Sequence, residues 1–279
     1  MEQKKLRDDE SLWICFAPLC THYGFPSYRY FLDRFAQFTG KKTIAIDIHG
    51  VGNSSRLEID QVRSLFDADF DKVLDPIYSA LSFINARRIN IYGYSMGGRL
   101  ASASVIPAKR YGIDIEQMIL VEPGGATRLE HVFGIKSLLN EVRSLGTYNG
   151  RNISDPLQRD AMKLDASVNE RIFSLIYNYL KPFNGRIDNL LLFAYSMQSQ
   201  SLGRDLLQSL RNSYRMKINF ISGDRSSLSR TSDIQRLLQT ISPIISERQH
   251  ESRLIVLEGE SHPVGYDAGR LIDAFKFLR

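Results

Sequence analysis

The sequence predicts an α/β protein with a mostly parallel sheet of about six strands and helices on both faces. Three observations carry this. Short apolar runs recur along the chain and alternate with longer amphipathic stretches, the pattern of strands joined by crossover helices. One of them, residues 89–92, passes through Gly93-Tyr94-Ser95-Met96-Gly97 straight into a helix-forming segment. With 279 residues, 43% of them hydrophobic, the chain can bury a substantial core as one domain carrying a sizeable insertion.

In chain order, residues 12–17 read as a first buried strand. After a loop, a helix with an apolar face at Tyr30, Phe31, Phe35 and Phe38 is closed by Gly40. Residues 42–47 form a second strand, and 59–86 an amphipathic stretch in which Asp75-Pro76 marks a break or kink. The strand, turn and helix around Ser95 follow, and residues 118–121 end the next strand at Glu122-Pro123-Gly124-Gly125. From about 126 to 214 strand signals vanish, and apolar stripes at 172–177 and 190–193 suggest helices. Strands resume at 216–221 and 253–257, with helices at 233–245 and 268–278.

Right-handed crossovers put the loops that follow the strands at one edge of a parallel sheet, where ligand sites lie. Ser95, Asp224 and His262 each follow a strand end in a different unit. A serine hydroxyl becomes a useful nucleophile only when lifted clear of its neighbours, beside a base and near donors for an oxyanion; a strained strand-to-helix turn does this. Gly93 and Gly97 remove the collisions that side chains would make in such a turn, and Met96 opens the helix with its N–H at the positive end of the dipole. His262 is the expected base. Asp224, in Ser-Gly-Asp-Arg, is the expected acid, with a turn-forming role as the plainer alternative and Glu122 as the main rival. The loop after the first strand, Pro18 to Pro26, should pass beside Ser95; His22 and Tyr23 are candidate substrate contacts there.

Composition narrows the function. The excess of 36 basic over 31 acidic residues is mild and scattered in sequence, which argues against nucleic-acid binding. Two cysteines, Cys15 and Cys20, make no disulfide framework, and no Cys/His cluster suggests a metal or other cofactor. The N-terminus lacks a signal-like apolar run, and no segment has the length of a membrane span, so a cytoplasmic chain is expected.

These residues resemble the α/β-hydrolase superfamily over nearly the whole chain. Asp47-Ile48-His49-Gly50-Val51-Gly52-Asn53-Ser54 is similar to its D-x-x-G-x-G-x-S loop, residues 93–98 to its nucleophile elbow, Gly223-Asp224 to its acid turn, and Glu260-Ser261-His262 stands where G-H is usual. The resemblance implies a hydrolase core at 1–125 and 215–279 with a helical cap at 126–214. It also implies a Ser95–His262–Asp224 triad and an oxyanion hole from the amide of Met96 with that of Leu19 or Cys20, although Pro18-Leu19 replaces the family's His-Gly. Cys15-Phe16-Ala17-Pro18 is similar to type II thioesterases, which usually carry histidine where Tyr94 stands; this makes Tyr94 a further substrate contact and a small-molecule or acyl-carrier substrate the expectation. The string from Gly93 to Ala101 is similar to the menaquinone-pathway synthase of this fold, a lyase that holds carboxylates with arginines. A serine hydrolase acting on an ester or thioester is thus expected. Its alternatives are a lyase in which Arg99, otherwise a solvated helix residue, or an arginine of the cap holds an anionic substrate, and a non-catalytic receptor.

Overall fold

A computed structural model describes residues 11–127, 153–170, 187–198 and 201–278, apart from Cys20, His22, Gly24 and Ser154. Six strands, β1 (Ser11–Phe16), β2 (Thr43–Ile46), β3 (Arg88–Tyr94), β4 (Asp114–Val121), β5 (Lys217–Gly223) and β6 (Glu251–Leu257), form one sheet in the order β2-β1-β3-β4-β5-β6. Every pairing is parallel. The chain steps from β1 outward to β2 and then back across β1 to β3, so its direction of growth reverses between β1 and β3. Loops that leave neighbouring strands there diverge and open a crevice.

Side chains alternate between the two faces as the period of a strand requires. Leu12, Ile14 and Phe16 enter a large core with Ile89, Ile91, Met118 and Leu120, whereas Trp13, Cys15 and Ala17 enter a second one with Tyr92, Ile119 and Val121. The second face is covered by α1 (Pro26–Thr39) and, at the far end of the chain, α10 (Ala268–Lys276). There Phe31 lies 4.7 Å from Tyr92 and Trp13 meets Phe35 edge-on at 4.9 Å. Aromatic pairs of this kind add about 0.5–1.5 kcal/mol each beyond simple burial. Gly40 ends α1 in the left-handed conformation at φ 63°.

The first face carries α2 (Ile59–Phe66), α3 (Asp71–Phe83), α4 (Met96–Ala103), α5 (Val105–Arg110), α8 (Ser201–Arg211) and α9 (Thr231–Glu247). The expected interruption at Pro76 falls elsewhere: the helix breaks at residues 67–70, and Pro76 lies inside α3. A proline leaves the carbonyl four residues earlier without its helical donor. Here that carbonyl, on Lys72, accepts a hydrogen bond from Nε2 of buried Gln61 in α2 at 3.0 Å, so the helix continues undivided.

Between β4 and β5 the described residues include α6 (Pro156–Ala161), α7 (Ile187–Gln198) and α8. The stripe at 172–177 lies outside the described residues. The last part of the expected cap belongs to the core instead. Leu202, Leu206 and Leu210 of α8 are fully buried in the first cluster, and α8 packs on α4 and α9.

Arg99 of α4 is neither solvated nor available to a substrate, contrary to both readings of it. It is wholly buried, paired with Asp205 of α8, bonded through Nη2 to the Ala68 carbonyl at 3.1 Å, and its guanidinium carbon stands 5.1 Å from the Phe70 ring centre. Burial lowers the pKa of Arg99 and raises that of Asp205, each shift opposed by the partner charge. Removing one partner would strand the other charge in the core. Asp205→Ala should therefore cost about 3–5 kcal/mol, lowering the melting temperature by about 10 °C for a chain of this size. Differential scanning calorimetry checks this, and Arg99→Met in the same chain should recover much of the loss.

Candidate active site

Ser95 occupies the single residue between β3 and α4, at φ 54° and ψ −115°. Such a conformation costs a non-glycine residue about 1–3 kcal/mol and persists only where its surroundings enforce it. They do so by close packing. A Cβ on Gly93 would stand 2.2 Å from the Gly97 carbonyl oxygen, and one on Gly97 would stand 2.1 Å from that of Phe16. Both glycines were legible as necessary, and each is required by backbone rather than by a movable side chain. The Ser95 N–H donates to Val121 O at 2.9 Å, and Ser95 O accepts from Gly98 and Gly124 at 3.0 and 2.8 Å.

His262 opens the 3₁₀ turn at His262–Tyr266, after β6. Its Nε2 lies 3.0 Å from Ser95 Oγ, and its Nδ1 lies 3.1 Å from Glu122 Oε2. The structure thus brings Ser95 and His262 together, whereas the carboxylate beside Nδ1 belongs to Glu122 and not to Asp224. Glu122 follows β4, is fully buried at φ 47°, and accepts from the Gly223 N–H through Oε1. Asp224 is exposed and accepts from the Gly259 N–H at 2.8 Å, tying the exits of β5 and β6 together as a turn former. The reason is topological: β4 lies directly beside β3, one strand nearer the serine than β5, so its exit meets the imidazole first.

An acid on Nδ1 fixes the tautomer that leaves Nε2 free to take the serine proton, and the acid's charge favours the imidazolium that follows. The three groups form a continuous hydrogen-bonded chain from Ser95 Oγ to the wholly buried Glu122 carboxylate.

The other candidate residues divide. Met96 opens α4 beside Ser95, and the Phe16 and Ala17 carbonyls abut Gly97, which brings the loop carrying Leu19 alongside the elbow. Tyr23 is exposed, with its N–H on Asp47 Oδ1 at 3.1 Å. His22 and Cys20 lie outside the described residues. Tyr94 is not a substrate contact: its side chain is buried on the opposite face, its ring fills the position a Cβ on Gly265 would take, and its hydroxyl donates to the His262 carbonyl at 2.8 Å. It ties β3 to the loop that carries His262. Sequence reasoning read the stripe at 190–193 as helical but missed two residues of that helix, α7: Asn189 reaches the Gly50 carbonyl at 3.4 Å, and the Met197 sulfur stands 3.1 Å from where a Gly124 Cβ would be, next to Ser95 O. The stripe was visible, but not what it covers. Among the described residues no group of three His, Cys, Asp or Glu side chains could hold a metal, and no helix is long and apolar enough to cross a membrane.

No family model matches the sequence, and no curated protein matches it. Solved structures do. A bromoperoxidase from Bacillus anthracis superposes with a TM-score of 0.61 at 15% identity, over 96% of this chain and 91% of that one. MGS-M2, an alpha/beta hydrolase enzyme from a Medee basin deep-sea metagenome library, does so at 0.60 and 16%, over 97% and 89%. The type II thioesterase BorB from the borrelidin biosynthetic cluster matches at 0.56 and 13%, over 100% and 97%. At such identities the likeness is one of fold.

Two substitutions separate the acids. Glu122→Gln should slow reaction of Ser95 with a fluorophosphonate by about a hundredfold or more, because the amide cannot hold the required tautomer; Asp224→Asn should leave the rate within about twofold, as expected for an exposed turn residue. Tyr94→Phe deletes one hydrogen bond worth about 1 kcal/mol and should slow the same reaction about fivefold without lowering the melting temperature in proportion.

Proposed function

We propose that this chain, which has the α/β-hydrolase fold, is a serine hydrolase that cleaves a carboxylic ester or thioester through an acyl-enzyme. The observation that carries the reading is the unbroken chain from Ser95 Oγ through both nitrogens of His262 to the Glu122 carboxylate. Ser95 attacks the acyl carbonyl as its proton passes to His262 Nε2. The oxyanion is held by the amides of Met96, at the positive end of α4, and Leu19. His262 then protonates the leaving alcohol or thiol. Water enters, gives its proton to His262, and releases the acid while Ser95 recovers its own. Glu122 stays ionised throughout and keeps the imidazole oriented.

The insertion ahead of α8 is the cap over this site. Met197, beside Gly124 and the Ser95 carbonyl, gives the acyl side of the pocket an apolar wall. Similarity to an alpha/beta hydrolase enzyme and to a type II thioesterase supports the same class of chemistry. Of the two anion holders the lyase alternative offered, Arg99 or a cap arginine, Arg99 is spent inside the core on Asp205.

A fluorophosphonate probe near neutral pH should label Ser95 alone, as read by peptide mass mapping, and Ser95→Ala should abolish the label. With p-nitrophenyl esters as test substrates, Ser95→Ala or His262→Ala should cut turnover by about three to six orders of magnitude, since the three groups act as a unit. A variant that kept a tenth of the activity would refute the assignment.

A further inference from the structure

The chain's basic excess is scattered in sequence but gathered in space. A cleft of about 830 Å³ opens at the N-terminal edge of the strands, lined by β3, β4 and β5, by Lys41 ahead of β2, and by the ends of α5, α8 and α9. Four arginines line it: Arg88, Arg211, Arg215 and Arg248. Three lysines join them: Lys41, Lys109 and Lys217. Against these seven stand Asp114 and Glu116, an excess of five, which equals the excess of 36 basic over 31 acidic residues in the whole chain. The remainder of the protein is therefore neutral in sum.

The plain reading of these cations is compensation. In a parallel α/β fold the helices run against the strands, so α5, α8 and α9 all end here with their carbonyl groups outward. Each such end carries about half a negative charge, together far short of five. Glu116, already counted, pairs with Arg88 at 3.3 Å; beyond the lining, Glu251 pairs with Lys217 at 3.4 Å and Glu247 with Arg248 at 3.9 Å, which brings the excess from five to three, still above the roughly one and a half charges of three helix ends. Lys109, Arg211 and Arg215 have no carboxylate partner among the described residues. They come from three separate segments: the last turn of α5, the last turn of α8, and the turn before β5. Arg215 is held at φ 56°, a conformation disfavoured for arginine.

We propose that this cleft is a binding site for a small molecule carrying several phosphate groups. Guanidinium forks match phosphate oxygens in pairs, and an ammonium adds a point charge, so two arginines and a lysine without carboxylate partners suit a di- or triphosphate; Arg215 is steadied by its Nε bond to Gln249 Oε1 at 3.0 Å and by the Tyr214 ring, 5.2 Å away. The volume is that of a small-molecule site. Asp114, Glu116, Glu247 and Glu251 lie among or around the cations and would repel a longer polyanion running past them, so a nucleic acid fits less well. The site is separate from the chemistry at Ser95. Arg88 and Tyr94 bound β3, and seven residues of strand span about 20 Å.

The test is isothermal titration of the whole protein with orthophosphate, pyrophosphate and tripolyphosphate. Binding should saturate at one tripolyphosphate per chain, strengthen at least tenfold from orthophosphate to tripolyphosphate, and weaken as salt screens the charges. The exposed double substitution Lys109→Glu with Arg211→Glu should reduce tripolyphosphate affinity at least tenfold while labelling of Ser95 proceeds at the wild-type rate. Absence of saturable binding, or affinity unchanged in that variant, would overturn the proposal. So would a twenty-nucleotide single-stranded RNA that binds the cleft more tightly than tripolyphosphate does, which would make the site one for nucleic acid.

Discussion

Everything at the catalytic edge depends on one steric constraint: Ser95 must hold a left-handed backbone while two strands and a helix close around it. The first turn of α4 presses so near the end of β1 that even a methyl group on Gly97 would enter the Phe16 carbonyl. That contact fixes the serine over the reversal point of the sheet. It also brings the first loop to the same place, so nucleophile and candidate oxyanion donors are set by a single packing event rather than by separate loops. The strain is answered locally, since the Ser95 carbonyl takes hydrogen bonds from Gly98 and Gly124 and its N–H is satisfied by Val121.

His262 is held from behind as firmly as Ser95 is held from below. His262 contributes its imidazole to the site and its carbonyl to the Tyr94 hydroxyl, and the two rings lie tilted at 38° with centroids 5.4 Å apart. The 3₁₀ turn that carries it ends at Asp267. That buried carboxylate caps α10 through the Arg270 N–H and takes a hydrogen bond from Gln158 of α6 at 3.2 Å. Asp155, at the start of α6, is bonded by the Tyr30 hydroxyl, which is pushed up to about 12 by burial and then by that carboxylate. Helix α6 is thereby tied both to α1 and to the start of α10, the helix that follows the turn carrying His262.

Much of this was legible in the sequence, and what was not has a common cause. Strand and helix alternation is a local signal, so the sheet, the elbow and Gly40 as a helix stop could be read directly. Ser95 and His262 were legible because each follows a strand and chemistry requires both. The acid was harder: Glu122 and Asp224 both follow strands beside glycines, and only the order of strands in space decides which reaches the imidazole. The same holds for Arg99 and Asp205, which are 106 residues apart and recognise each other only once α8 lies on α4. Tyr94 illustrates the limit most sharply, since adjacency to Ser95 in sequence suggested the pocket, whereas strand alternation turns neighbouring side chains to opposite faces.

A parallel α/β sheet has two unlike edges, and this chain uses them differently. At the C-terminal edge the helices begin, so backbone N–H groups and positive dipole ends face the loops, a setting that favours a developing oxyanion at Ser95. At the N-terminal edge the helices end, and the carbonyl charge there draws compensating cations. Compensation alone would scale with the number of helix ends and stop near neutrality. In this chain the cations of that edge exceed the partial charges of three helix ends, and three of them, Lys109, Arg211 and Arg215, are left without carboxylates among the described residues. A surplus held in a concavity keeps like charges close at a cost in mutual repulsion, which a bound anion would relieve. The polarity of the fold explains why basic residues gather at that edge, but not why they outnumber what the fold requires; the surplus is what marks the cleft as a site.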